Sequence, residues 1–124
     1  MMTYDKAMEL LAGALSGHRP LLTAADLDLE LRTSPAASLW STDKSVVFLR
    51  LEPPYENGER ALMAAPAAGD LEEIIKHGTR DIEQVARDNR CTQVVIHAGR
   101  DGWARELEPY GYEKVGVILR KVLD

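Results

Sequence analysis

The stretch PAAGDLEEII, Pro66 to Ile75, offers the clearest opening for chemistry in this chain. A short apolar run ends in Ala-Gly, and Asp70 begins a long helical pattern. Free backbone N–H groups at such a junction can hold the phosphates of a cofactor. The side chains argue for a different use. Asp70 is a good helix N-cap, and Glu73 completes a capping-box pattern that consumes the same N–H groups. Glu72 and Glu73 also suit the positive end of the helix dipole. A phosphate about 6 Å from either carboxylate, at an effective dielectric near 20, would meet ~3 kcal/mol of repulsion before screening. A self-capped helix is the simpler reading of the junction.

Other chemistry-bearing residues are more dispersed. Cys91 is the single cysteine, so no internal disulfide can form. In DNRCTQVVI it precedes an apolar strand pattern and reads as a packed thiol, with His97 the nearest base in sequence. His18, His77 and His97 lack metal-ligand spacing, so no metal site is expected. Arg100, in HAGRDGW, could hold an anionic group or pair with Asp101 or Glu106. Trp103, Tyr110 and Tyr112 concentrate aromatic surface in one short segment, as core residues or partner-facing anchors.

These residues need a scaffold, and the totals bound it. The chain has 124 residues, 45% hydrophobic and 28% charged, which suits one domain over residues 1–124. Twenty acidic residues against 15 basic ones give a net charge of −5. That balance gives no general attraction to nucleic acid or to anionic membrane. Arg87, Arg90, Arg100 and Arg105 are too sparse for a phosphate-tracking stripe. No apolar run approaches the ~20 residues of a membrane span. MMTYDKAMEL lacks a signal-peptide pattern, and a cytoplasmic location is expected.

The spacing of Met8, Leu11, Ala12 and Leu15 predicts a helix from about Thr3 to Ser16, with Gly17 as its stop. TAADLDLELRTS is ambiguous between a helix capped at Thr23 and a strand, and helix is preferred. SLWSTDKSVVFLRLE reads as a β-hairpin turning at Thr42-Asp43-Lys44. PPYENGE is a loop with its turn at Asn57-Gly58. RALMAA is a short strand. Leu71, Ile74, Ile75, Ile82, Val85 and Ala86 share one helical face, so a single helix from Asp70 to about Asn89 is expected, with Gly78 allowing close packing or a bend. TQVVIHA is a strand, residues 101–107 a short helix stopped by Pro109, and EKVGVILRKVL a long final strand with Val115, Val117 and Leu119 on one face. The strand–helix–strand unit implies parallel pairing and the hairpins antiparallel pairing. A mixed sheet carrying helices follows.

The ending GWARELEPYGYEKVGVILRKVL resembles that of the GCN5-related N-acetyltransferase (GNAT) superfamily. Its marks are a helix leading to Gly111-Tyr112 and a closing strand. GRDGWARELEPYGY is also similar to endings of short GNAT-like proteins from tailed phages and prophages. The resemblance implies an α/β fold, a mostly antiparallel central sheet with helices on both faces. It implies acetyl-CoA as cofactor and an amine as acetyl acceptor. Cofactor contacts would come from the backbone of the strand Arg60–Ala65 and of the following turn, through Ala64, Ala65, Ala67, Gly69 and Asp70. The family turn, (Q/R)-x-x-G-x-(G/A), is here PAAGDLEE, with one glycine and no Gln or Arg ahead of it. The family's thiolate-protonating Tyr falls on Leu107, which leaves Tyr110 as the remaining candidate general acid. A degenerate acetyl-CoA site is therefore expected. The second expectation is a non-catalytic accessory or virion protein, meeting a partner or a second copy through the sheet edge or through Trp103–Tyr112.

Overall fold

The structure, a computed structural model, describes residues 2–16, 22–97, 101–116, 119–121 and 123. Gly17, His18, Arg100 and Val117, which carry expectations from sequence, lie outside the described residues. Thr3 accepts the Lys6 N–H and starts helix α1 (Tyr4–Leu15), which ends at Ser16. Leu11 and Ala7 form its buried face, while Ala12 is exposed. Thr23 settles the ambiguous stretch. Its N–H reaches Asp26 Oδ2 at 2.9 Å while its Oγ1 accepts the Asp26 N–H. That closed capping box makes residues Ala24–Thr33 helix α2, not a strand.

The hairpin forms as its pattern predicts. Strand β1 (Ala37–Ser41) pairs antiparallel with β2 (Val46–Leu51), with Trp40 opposite Val47. Every residue from Val46 to Leu49 is buried, because helices cover both faces of the sheet. On one face Val46 and Phe48 pack with Ala7, Leu11 and Leu27 of α1 and α2. On the other, Val47 and Leu49 join Leu62, Ala64, Ile74, Ile82 and Ala86.

Strand β3 (Ala61–Ala68) is longer than RALMAA suggests and runs on through Pro66, Ala67 and Ala68 of PAAGDLEEII. It pairs antiparallel with β2 along its length, with an irregularity between Val47 and Leu49. A short α3 (Leu71–Glu73) continues through a π turn (Ile74–Gly78) into α4 (Thr79–Asp88), which is the single long helix expected. Gly78 lies against the Trp40 ring, where a β-carbon would sit 3.2 Å from the indole. The Trp40 indole N–H also donates to Asp81 Oδ2 at 3.0 Å, tying the helix to β1. Strand β4 (Gln93–Val95) then returns parallel to β3, and the sheet order is β1-β2-β3-β4.

Helix α5 (Asp101–Leu107) leads into a 3-10 turn (Glu108–Tyr110), closed by Gly111 at φ +91°. One expectation is not met among the described residues beyond this point. The described residues of EKVGVILRKVL form no strand, and Val115, Leu119 and Leu123 are 82%, 89% and 78% exposed. Alternation gives a segment two faces, but a strand exists only when a neighbour accepts its backbone hydrogen bonds.

Candidate functional site

Strands β3 and β4 pair only over Ala61↔Gln93, Leu62↔Val94 and Met63↔Val95. Beyond Met63, β3 continues alone beside β2, so the parallel pair opens at Ala64. Ala65 and Pro66 lie opposite the single residue Phe48, between the pairs Leu49↔Ala64 and Val47↔Ala67. Pro66 brings no N–H to this stretch. Ala64, Ala65 and Ala67 thus belong to the strand, and only Gly69 and Asp70 form the turn into α3.

The turn is filled by the chain's own groups. Asp70 Oδ1 accepts the Glu73 N–H at 3.1 Å, as an N-cap should. The reciprocal bond of a capping box is relayed. The buried Ser45 hydroxyl accepts the Asp70 N–H at 3.0 Å and donates to Glu73 Oε1 at 2.6 Å. Thr42 Oγ1 donates to the same carboxylate oxygen at 2.5 Å. Thr42 Oγ1 itself accepts the Lys44 and Ser45 N–H groups, both at 3.1 Å. Glu72 pairs with Lys76 at 2.6 Å on the outer side. Gly69, at φ +113°, lets the hairpin turn press onto this junction. Sequence reasoning places Thr42 only in a turn and gives Ser45 no role. Their 31- and 28-residue separations from Glu73 leave no local signal.

Hydrogen bonds from Ser45 and then Thr42 hold the Glu73 carboxyl below the usual carboxylate range, against opposition from burial and from Asp70. The linkage has a definite sign. A depressed folded pKa means that the unfolded chain binds more protons. The stabilisation is complete above the unfolded value, about 4.3, and is lost as pH falls through the lower folded value. Glu73→Gln should therefore lower the Tm relative to the native chain by a constant amount at neutral pH. That difference should shrink below about pH 4. A gap unchanged down to pH 3, measured by thermal circular dichroism, would show that the Glu73 charge contributes nothing to the clamp.

The remaining candidates are not part of this network. Tyr110 is 44% exposed on the 3-10 turn. Leu107 is a buried core residue. Tyr112 donates to Glu83 Oε2 at 2.9 Å, and burial followed by that bond pushes its phenol up, away from acid duty. Trp103 packs against the core cluster of Leu62 and Ile82. Cys91 packs there too, and burial pushes its thiol up. His97 is exposed, and no cluster of metal-ligating residues exists among the described residues. No helix among them is long and apolar enough to cross a membrane. Shallow surface depressions lie at α1 and α2, by Tyr4 and Asp28 and by Leu15 and Leu22.

No family model matches the chain, and no curated protein matches it in sequence. Solved structures match its fold. A possible acetyltransferase from Clostridium difficile 630 superposes with a TM-score of 0.70 at 7% identity, covering 97% of this chain and 90% of that one. Glucosamine-6-phosphate N-acetyltransferase from Arabidopsis thaliana gives 0.62 at 15% identity, covering 94% and 88%. An acetyltransferase from Trypanosoma brucei gives 0.61 at 15% identity, covering 94% and 89%. The mixed, mostly antiparallel sheet with helices on both faces has the GNAT-like fold.

Proposed function

We propose that this chain is an acetyltransferase-like protein whose phosphate cradle is closed by its own side chains, and that it acts through protein contacts. The observation that carries this reading is the Glu73 carboxylate, held by Ser45 and Thr42 at the start of α3. The opened β3 stretch from Ala64 suits an extended pantetheine chain, because a strand leaving its neighbour offers free backbone polar groups. The turn does not suit a pyrophosphate. Two of the N–H groups that would hold it, those of Asp70 and Glu73, already have partners. Three carboxylates, Asp70, Glu72 and Glu73, belong to the cap and first turn of the helix, close to any phosphate its N-terminus would hold. The same anions that gain from the helix dipole repel a diphosphate.

Leu107 adds to the case. With a core side chain at the proton-donor position and Tyr112 bound to Glu83, Tyr110 is the phenol left for acid chemistry. If the protein reacts at all, an amine acceptor and Tyr110 are the pairing to examine. The likeness of the ending GRDGWARELEPYGY to those of short phage GNAT-like proteins is what supports an accessory or virion role for the non-catalytic protein.

Calorimetric titration with acetyl-CoA tests the reading. We expect no saturable heat up to about 1 mM ligand, an affinity worth less than ~4 kcal/mol. A micromolar Kd would overturn it, and the more firmly if Asp70→Ala left that Kd unchanged.

A further inference from the structure

The loop between β2 and β3 carries a residue pair with chemistry of its own. Pro53 to Gly58 are all exposed, yet the loop is tied together by its own backbone. The Tyr55 N–H donates to Glu59 O at 2.7 Å, and the Gly58 N–H donates to Tyr55 O at 3.0 Å. These bonds close a β-turn over Glu56-Asn57, with Gly58 following at φ +87°. The Asn57 side chain folds back over Gly58, because its Oδ1 accepts the Glu59 N–H at 3.0 Å. Among the described residues, nothing lies within 4 Å of where a Gly58 side chain would stand. The same loop anchors β4. The Glu59 carboxylate accepts from Thr92 Oγ1 and from Gln93 Nε2, and the Thr92 N–H donates to Arg60 O at 2.8 Å. Gln93 is the residue opposite Ala61, where the β3–β4 pair begins.

We propose that Asn57-Gly58 is a self-modification site, where the asparagine converts through a cyclic imide to isoaspartate and loosens the start of the β3–β4 pair. The Gly58 nitrogen attacks Asn57 Cγ, the Cγ–Nδ2 bond breaks, and ammonia leaves with the proton of the Gly58 N–H. Water then opens the five-membered ring at either carbonyl, giving aspartate or isoaspartate. Water is the only co-reactant, and nothing is oxidised or reduced. Local structure assists the first step twice. Glycine brings no side chain to crowd the attacking nitrogen. The Glu59 N–H sits on Oδ1, the oxygen that gains negative charge in the tetrahedral adduct. One bond opposes the attack, that of the Gly58 N–H to Tyr55 O, so opening of the turn sets the pace. The other asparagine of the chain lacks these features. Asn89 is followed by Arg90, and its Nδ2 donates to Val85 O at 2.8 Å. Isoaspartate routes the main chain through the former side chain, which lengthens the turn by one atom. The bond that folds residue 57 onto the Glu59 N–H is lost, and the Glu59 carboxylate is no longer fixed against Thr92 and Gln93.

This chemistry does not depend on whether acetyl-CoA binds. The full chain is held for weeks at body temperature and mildly alkaline pH, and peptide mass spectrometry follows both asparagines. Residue 57 should gain the amide-to-acid mass and split into two products, isoaspartate the larger, while Asn89 stays intact. Each converted chain goes from a net charge of −5 to −6, so ion exchange isolates it. By hydrogen exchange, the isoaspartate form should exchange ~5-fold faster or more than the native chain over residues 92–95, with α1 unchanged. Asn57→Asp adds the same charge without the extra atom and should exchange as the native chain does. Four results overturn the inference: no conversion at residue 57, aspartate as its sole product, equal conversion at Asn89, or an isoaspartate form that exchanges like Asn57→Asp.

Discussion

Gly69→Ala should be among the most damaging single substitutions in this protein, lowering stability by ~3 kcal/mol or more. Two costs combine. Gly69 sits at φ +113°, where a side chain is strained by about 1–3 kcal/mol. A β-carbon there would also stand 2.2 Å from the Lys44 carbonyl oxygen and 2.6 Å from Ser45 Cα. Both are backbone atoms, so no rotamer change relieves the overlap. The hairpin turn must move off the junction, which breaks the Ser45 bonds to Asp70 and Glu73 at about 1 kcal/mol each or more. A Tm drop of roughly 10 °C or more follows. Gly58→Ala is the control. It has a φ of +87° but open space around it, so it should lose only the backbone strain. Equal losses at the two positions would show that the contact with the hairpin is unimportant. The glycine of PAAGD thus serves the approach of the chain to itself, whereas a phosphate loop uses glycine to admit a ligand.

The same junction shows how far the sequence can be read. Features written in a few adjacent residues are legible: the first helix from about Thr3, the caps at Thr23 and Asp70, the hairpin around Thr42, the Gly58 turn and the long helix with Gly78 on its packed face. The fold class follows from those features, because two antiparallel pairings and one strand–helix–strand crossover leave few arrangements. What is not legible depends on distance. The capping-box pattern at Asp70 and Glu73 is visible, but its completion by Ser45 is not, since β2 must first lie beside β3. Strand β3 runs past the RALMAA pattern to Ala68 because β2 continues beside it, a pairing that local pattern does not display. The expected final strand meets the same limit in reverse. Alternation at Val115, Val117 and Leu119 states a capacity to pair, and pairing needs a neighbour, which no pattern within the segment can specify.

Charge at the α3 start leads to the second large effect. In Asp70→Asn combined with Glu73→Gln, both replacements keep the shape of the originals. Asn caps a helix about as well as Asp, and the amide oxygen introduced at position 73 can still accept from Ser45 and Thr42. Two negative charges disappear from the positive end of a helix. Each repels a phosphate by ~3 kcal/mol before screening, and screening over a Debye length of about 8 Å reduces this to roughly 1 kcal/mol each. Affinity for coenzyme A or ADP should therefore rise ~10- to 100-fold over the native chain, enough to bring a Kd beyond about 1 mM into calorimetric range. The gain should fall as salt is raised, because it is electrostatic. If affinity does not change even at low salt, charge is not the barrier. The clamp of Thr42 and Ser45 over the turn would then be excluding the ligand by shape, and Gly69 would be the residue that lets it do so.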